Sequence, residues 1–240
     1  MKAVIIGATA GVGRALATQL ASQKAELVLI ARDARDLDAI AADFGLRFGA
    51  TIRVLAADIA EPDVEKLQGF VRKSLDEIDA LFVIAGITDP ADRGTLPDRA
   101  MMLVASANFI GPARAVNALL PLCGPRSHIV LAGSVASIRP RGGNTVYGAA
   151  KTALEHYGMA IRHAFAKRLG SVCCYRLGYI RTAMTFGQKL PLPAAAPEQV
   201  ADVMIRHLGR SGVVYYPAWW RVVAFCLRRV PWFIFKRLRF

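Results

Sequence analysis

Seven short apolar runs, at 2–6, 26–31, 51–57, 80–84, 127–132, 171–177 and 213–216, alternate with longer amphipathic stretches along this chain. Mostly apolar runs of this length read as strands buried on both faces, and the stretches between them read as helices. Repetition of strand, helix and strand calls for crossover connections, which make neighbouring strands parallel. The expectation is an α/β fold: a doubly wound parallel sheet with helices on both faces, in three αβα layers. At 240 residues, 54% of them hydrophobic, the chain fits one such domain with a sizeable core. No internal repeat, low-complexity segment or interdomain linker interrupts it.

The first run, Lys-Ala-Val-Ile-Ile, leads into Gly7-Ala-Thr-Ala-Gly11-Val-Gly13, and 14–23 then reads as a helix. Glycines in that context let the chain turn sharply and let a pyrophosphate approach the amides at a helix N-terminus, as in the Rossmann fold. An ordinary βα turn with spare glycines is the alternative, and the flanking strand and helix weigh against it. Ligands in such sheets bind beyond the carboxyl ends of the strands. Gly7, Asp58, Gly86 and Ser134 all fall at such ends. At the end of the second run Ala31 is followed by Arg32. A dinucleotide without a 2′-phosphate is usually held there by an acid, whereas arginine suits a phosphate. That favours NADP(H); Asp33, which follows at once, keeps NAD(H) open.

Tyr147 and Lys151 stand four residues apart, one helical turn, and Ser134 lies thirteen residues upstream. A phenol is a weak acid at neutral pH, and a cation beside it favours the phenolate. A serine hydroxyl within reach could hold a carbonyl oxygen while the proton moves. With a hydride carrier alongside, this equipment reduces a ketone or oxidises an alcohol. Taken alone the pair is a short pattern that also arises by chance on a surface.

From residue 2 to about 182 the chain resembles the short-chain dehydrogenase/reductase family, with the expected elements in order. Gly7, Gly11 and Gly13 match its cofactor loop, and Asp58 matches the acid that meets the adenine. Val83-Ile84-Ala85-Gly86 stands where the family commonly has Asn-Asn-Ala-Gly. Asn108 matches the helix asparagine that holds a proton-relay water, and Ser134, Tyr147 and Lys151 match the catalytic trio. Leu177-Gly178-Tyr179-Ile180-Arg181-Thr182 matches the usual Pro-Gly-x-x-x-Thr that closes over the nicotinamide. Ile84 and Leu177 depart from the pattern without carrying the chemistry. The resemblance implies a catalytic set of Asn108, Ser134, Tyr147 and Lys151. It implies cofactor contacts at Gly7, Thr9, Gly11, Val12, Gly13, Arg32, Asp58, Ile59, Ala85, Gly86, Tyr147, Lys151, Ile180 and Thr182. It also implies a homodimer or homotetramer paired through the helix carrying Tyr147 and its neighbour.

The four cysteines, Cys123, Cys173, Cys174 and Cys226, lack metal or redox spacing and read as small buried hydrophobes in a reducing cytoplasm. His128, His156, His163 and His207 form no ligand pattern, so no metal is expected. No signal peptide is visible at the start. The segment 185–197, with three prolines, reads as a loop that shapes a substrate pocket.

The net charge is +13, and after Asp202 there is no acidic residue. Arg206, Arg210, Arg221, Arg228, Arg229, Lys236, Arg237 and Arg239 fill that stretch. The domain is therefore expected at 1–216, with a basic amphipathic tail at 217–240. On a helix Trp219, Val222, Val223, Cys226, Leu227 and Val230 share a face opposite Arg221 and Arg228, and Pro231 breaks the helix. The longest uncharged run there is six residues, 222–227, against the roughly twenty that a span requires. The tail reads as lying in an anionic membrane interface, with packing on the domain or on a second subunit as the alternative. No recognised nucleic-acid module is present.

The tail, with Arg181-Thr-Ala-Met184 and Leu190-Pro-Leu, also resembles the polyprenylphosphoryl 2-keto-ribose reductases. Those enzymes reduce the C2 ketone of a lipid-linked keto-pentose. That resemblance implies a peripheral enzyme at the inner face of the cytoplasmic membrane. A long-chain keto-lipid reductase, such as one for 3-ketosphinganine, a 3-ketoacyl reductase and a non-catalytic cofactor-binding regulator remain as rivals.

Overall fold

The computed structural model describes residues 1–188 and 190–237. Lys189 of the proline loop and Arg239 of the basic tail lie outside the described residues. Seven strands form the sheet: β1 Lys2–Ile6, β2 Glu26–Ala31, β3 Ile52–Ala56, β4 Ile78–Val83, β5 Cys123–Ser134, β6 Ser171–Leu177 and β7 Gly212–Tyr216. All pair in parallel, in the order β3-β2-β1-β4-β5-β6-β7. The order reverses between β1 and β4, which is where an open α/β sheet leaves its ligand crevice. The seven expected strands are all present. The largest difference is β5, which begins at Cys123 and continues to Ser134, so the serine is the last residue of its strand.

Helices cover both faces: α1 Gly11–Ser22, α2 Ala34–Phe48, α3 Val64–Ser74, α4 Asp98–Ala105, α5 Gly111–Leu119, α6 Thr145–Ala164, α7 Pro197–Arg206, α8 Trp220–Arg229 and α9 Trp232–Phe235. Alternate strand residues feed opposite cores, as period two requires. Ala3, Ile5, Leu27 and Leu29 pack with Leu16, Leu20, Phe44 and Met204 from α1, α2 and α7. Val4, Ile6, Val28 and Ile30 pack with Leu67, Val71, Val116 and Leu154 from α3, α5 and α6. The adjacent Cys173 and Cys174 divide between these two cores, and burial raises their thiols to about 11 and about 12. Cys226, also expected to be buried, is exposed.

Helix α1 starts at Gly11, inside the glycine motif, rather than at residue 14. A Cβ on Gly13 would overlap the carbonyl oxygen of Gly7, so the bare residue is what lets the helix begin this close to β1. The helical stretch 98–122 is long and apolar enough to cross a membrane by length and composition, yet half of it is packed inside the domain. It is a core element, and a π-turn at Ser106–Ile110 joins α4 to α5 within it.

The tail is docked on the domain. Trp220 and Ala224 are buried, with Val223 packed beside them against Ile138, Val135, Tyr179, Leu192 and Tyr215. The expected face was centred elsewhere: Trp219, Val222 and Cys226 are exposed, whereas Val223, Leu227 and Val230 are half-buried. The reason is the receiving surface. The Trp220 indole rests on Gly178, where an added Cβ would lie 2.5 Å from indole Cδ1. Tyr179 meets the same ring edge-on at 5.8 Å. A flat side chain fits that bare floor, which the periodicity of the helix alone does not reveal. Arg139 locks the far end, donating to the carbonyl oxygens of Leu227 and Val230, with its guanidinium 3.9 Å from the Phe235 ring centroid.

Candidate active site

A cleft of about 1580 Å³ runs across the carboxyl ends of the strands. Gly7, Thr9, Gly11 and Val12 line one stretch of it, and Arg32, Asp58, Ile59, Ala85 and Gly86 continue the wall. Ser134, Tyr147, Lys151, Ile180 and Thr182 close the other end. Of the residues expected from sequence, Gly13 and Asn108 do not line the cleft. Gly13 acts from behind, through its packing on Gly7. Asn108 is fully buried; a Cβ on Gly86 would stand 2.6 Å from its Oδ1 and 3.0 Å from Lys151 Nζ.

The local fold places each side chain. Ser134 ends β5 and caps the following turn, its Oγ accepting from Ala136 N at 3.1 Å. The π-turn widens the helix at Asn108, as such bulges do at functional positions. Asn108 Nδ2 donates to Ile87 O at 2.7 Å and Val104 O at 2.8 Å, while Oδ1 is buried without a partner. Buried acceptors are normally satisfied, so this lone pair is poised for a water or a ligand group. Lys151 Nζ donates to Ala132 O at 2.9 Å and lies 5.8 Å from the Tyr147 ring centroid.

Burial, slightly opposed by Cys174, pulls the Lys151 ammonium down to about 8. Burial raises the Tyr147 phenol above its ordinary value, and the Ser134 hydroxyl and the Arg141 charge pull it partly back. Of these two groups, Arg141 was not singled out from sequence.

The cofactor end fits a 2′-phosphorylated dinucleotide. Asp33, the residue that kept NAD(H) open, caps α2, accepting from Arg35 N at 2.9 Å and Asp36 N at 3.3 Å. Its carboxylate is turned to its own helix, and the exposed Arg32 has no ion pair among the described residues. The backbone must also stay bare here: a Cβ on Gly7 would lie 2.7 Å from Ala85 N. The departures at Ile84 and Leu177 leave the geometry intact. Ile84 N and Ala85 N both reach Ile6 O, at 2.9 and 3.1 Å, and Leu177 stays in register with Ser134 and Tyr216. Thr182 stands over Gly11, and the 180–195 loop is tied at its base by Ala195 N to Tyr179 O and Arg181 N to Ala195 O, both 2.9 Å.

Two supports of the site had no local signal in the sequence. Asp92 is buried and accepts from Thr145 Oγ1 at 2.6 Å, Val146 N at 2.9 Å and Gly94 N at 3.3 Å, pinning its loop to the start of α6. Arg176 of β6 forms a two-pronged pair with Glu155, one turn beyond Lys151, and donates to the Tyr215 hydroxyl. Ser137 Oγ completes that network at 3.3 Å from Glu155. Each partner lies far away in sequence, so only the fold brings them together.

Among known proteins, an uncharacterised oxidoreductase of Listeria monocytogenes is 30% identical over 154 residues, 63% of this chain and 62% of that protein. A very-long-chain 3-oxoacyl-CoA reductase of Phaeosphaeria nodorum is 26% identical over 218 residues, 88% of this chain and 64% of that protein. The match thus spans a little under two thirds of each of these relatives. A short-chain dehydrogenase from Burkholderia cenocepacia in complex with NADP superposes with a TM-score of 0.79 at 21% identity, covering 89% of this chain and 95% of that one. One from Sphingobium yanoikuyae in complex with NADPH gives 0.78 at 23%, covering 99% and 96%. At such identities the likeness is one of fold. The family model described as short chain dehydrogenase matches residues 1–190, most of the chain, and the protein belongs to that family.

Proposed function

We propose that this chain is an NADP(H)-dependent reductase of a ketone on a lipid-linked or membrane-associated substrate, a polyprenylphosphoryl 2-keto-pentose being the leading candidate. One observation carries the reductase reading: Ser134, Tyr147 and Lys151 meet at the end of a cleft whose far end offers a bare glycine turn and an Arg32 with no ion pair among the described residues. The two solved relatives in complex with NADP or NADPH support the cofactor choice.

When bound, the dinucleotide supplies the hydride. The Ser134 hydroxyl hydrogen-bonds the carbonyl oxygen and fixes its position against Tyr147. Tyr147, its phenol kept protonated by burial, delivers the proton as general acid. Lys151 resupplies that proton, and the open lone pair of Asn108 Oδ1 holds the water that links Lys151 to solvent. The same groups run in reverse for oxidation.

The tail supports the membrane-associated reading. Beyond the docked face of α8, Val222, Phe225, Trp232, Phe233 and Ile234 are exposed among Arg221, Arg228, Arg229, Lys236 and Arg237. Apolar and basic groups so mixed suit an anionic lipid surface, at the inner face of the cytoplasmic membrane. Met101, Met102 and Leu103 of α4, with Ile110, leave a second exposed apolar face for a homodimer contact. A long-chain keto-lipid is the second reading, favoured by the similarity to 3-oxoacyl-CoA reductases.

Single-turnover NADPH oxidation against a panel of lipid-linked keto-sugars and long-chain keto-lipids tests the proposal. Tyr147→Phe is expected to lower turnover at least about a hundredfold and to leave NADPH binding in place. Full activity in that variant, or no vesicle flotation by the intact chain, would overturn the respective half.

A further inference from the structure

The substrate end of the cleft carries an uneven set of charges. Arg93 and Arg141 both line it, together with Asp92 and Lys151. Asp92 is committed: three donors occupy its carboxylate, and its carbonyl oxygen accepts from Asn144 N at 3.1 Å. Lys151 is turned to Ala132 O. Neither Arg93 nor Arg141 has a carboxylate partner among the described residues. Arg93 reaches the loop that carries Arg141, since a Cβ on Gly143 would lie 3.9 Å from Arg93 Nη1. Arg141 Nε is buried and has no hydrogen-bond partner. A buried guanidinium N–H without an acceptor is destabilising unless something fills the place. Asp92 does not supply that acceptor, because its carboxylate is committed to Thr145 Oγ1, Val146 N and Gly94 N.

A guanidinium fork accepts planar or tetrahedral oxyanions in a bidentate manner and stays charged at any working pH. We propose that Arg141, with Arg93 lining the same end of the cleft, forms an oxyanion subsite for the substrate, so that the ketone taken is an anion bearing a phosphoryl or carboxyl group a few bonds from its carbonyl. This rests on the reductase reading of the cleft and deepens it. Arg141 shares the wall with Tyr147 and Asn144, so an oxyanion held there would fix the distance from the anionic group to the reacting carbonyl. The subsite also explains why a basic loop lies against the general acid without a structural partner. A neutral ketone would offer Arg141 only uncharged acceptors, which make weaker hydrogen bonds than an oxyanion.

A binding measurement separates this proposal from the question of turnover. Phenyl phosphate, benzoate and benzyl alcohol are titrated into the NADPH-saturated protein by calorimetry, for the wild type, Arg141→Gln and Arg141→Lys. Saturable binding of at least one anion and none of the alcohol is expected. Arg141→Gln should weaken that binding at least tenfold, and Arg141→Lys should restore part of it. The stronger of the two anions tells phosphoryl from carboxyl. Equal affinity in wild type and Arg141→Gln, or no saturable anion binding by the wild type, overturns the subsite. Either result leaves the reductase reading to stand or fall on Tyr147→Phe.

Discussion

Lys151 shows how one residue's surroundings set the working range of a site. Its ammonium titrates near 8 because burial disfavours the charge. Below that pH it carries the proton that the proposed reduction would consume; above it the amine is neutral. Reductive kcat/KM is therefore expected to fall as pH rises through about 8, and the oxidative rate to rise over the same range; coincident, flat profiles from pH 7 to 9 would contradict this. At the other end of the cleft, Arg32→Asp would forfeit the charge-assisted hydrogen bond that Arg32 would make to a 2′-phosphate, worth about 1.5–3 kcal/mol, and would add repulsion. The KM for NADPH should rise ten- to a hundredfold and that for NADH should fall, as steady-state kinetics would read directly. These positions were legible in the sequence because the chemistry demands their residue type at a fixed place on a strand end or helix turn. Arg141 was not legible, since nothing in its neighbours says that its Nε is buried beside Tyr147.

At the scale of elements, α6 carries the reacting groups and is held at two points. Asp92 grips its first turn; burial alone would raise that carboxyl, yet the bonds from Thr145, Val146 and Gly94 outweigh it and keep the group ionised. Glu155 fastens the middle of the helix to β6 through Arg176, and both side chains are almost out of solvent. Removing one member of a buried pair strands the other, at about 3–5 kcal/mol. Arg176→Leu should thus lower stability by about that amount in a denaturant titration, whereas Arg176→Leu with Glu155→Leu should recover much of it. Strand and helix positions were readable because periodicity is local. These tethers were not, because a loop aspartate or a lone strand arginine has no period to betray its partner.

Across the whole molecule, the tail adds a docked layer that packs on Val135, Ile138 and Tyr179. Its existence and basic character were plain in the sequence, and its orientation was not, because orientation depends on the bare surface at Gly178. Gly178→Val should expel the Trp220 indole, with overpacking of about 1–3 kcal/mol. Faster hydrogen exchange across residues 220–229 would report the release; unchanged protection there would refute the docking. The same contact sets an order of assembly. A chain made from its N-terminus exposes the glycine turn first, then Ser134 and Tyr147, and only later Trp220. Until then Ile138, Val135 and Tyr179 lack the cover that α8 gives them. The nascent chain therefore passes through an interval in which these apolar side chains lack their cover and are open to misassociation.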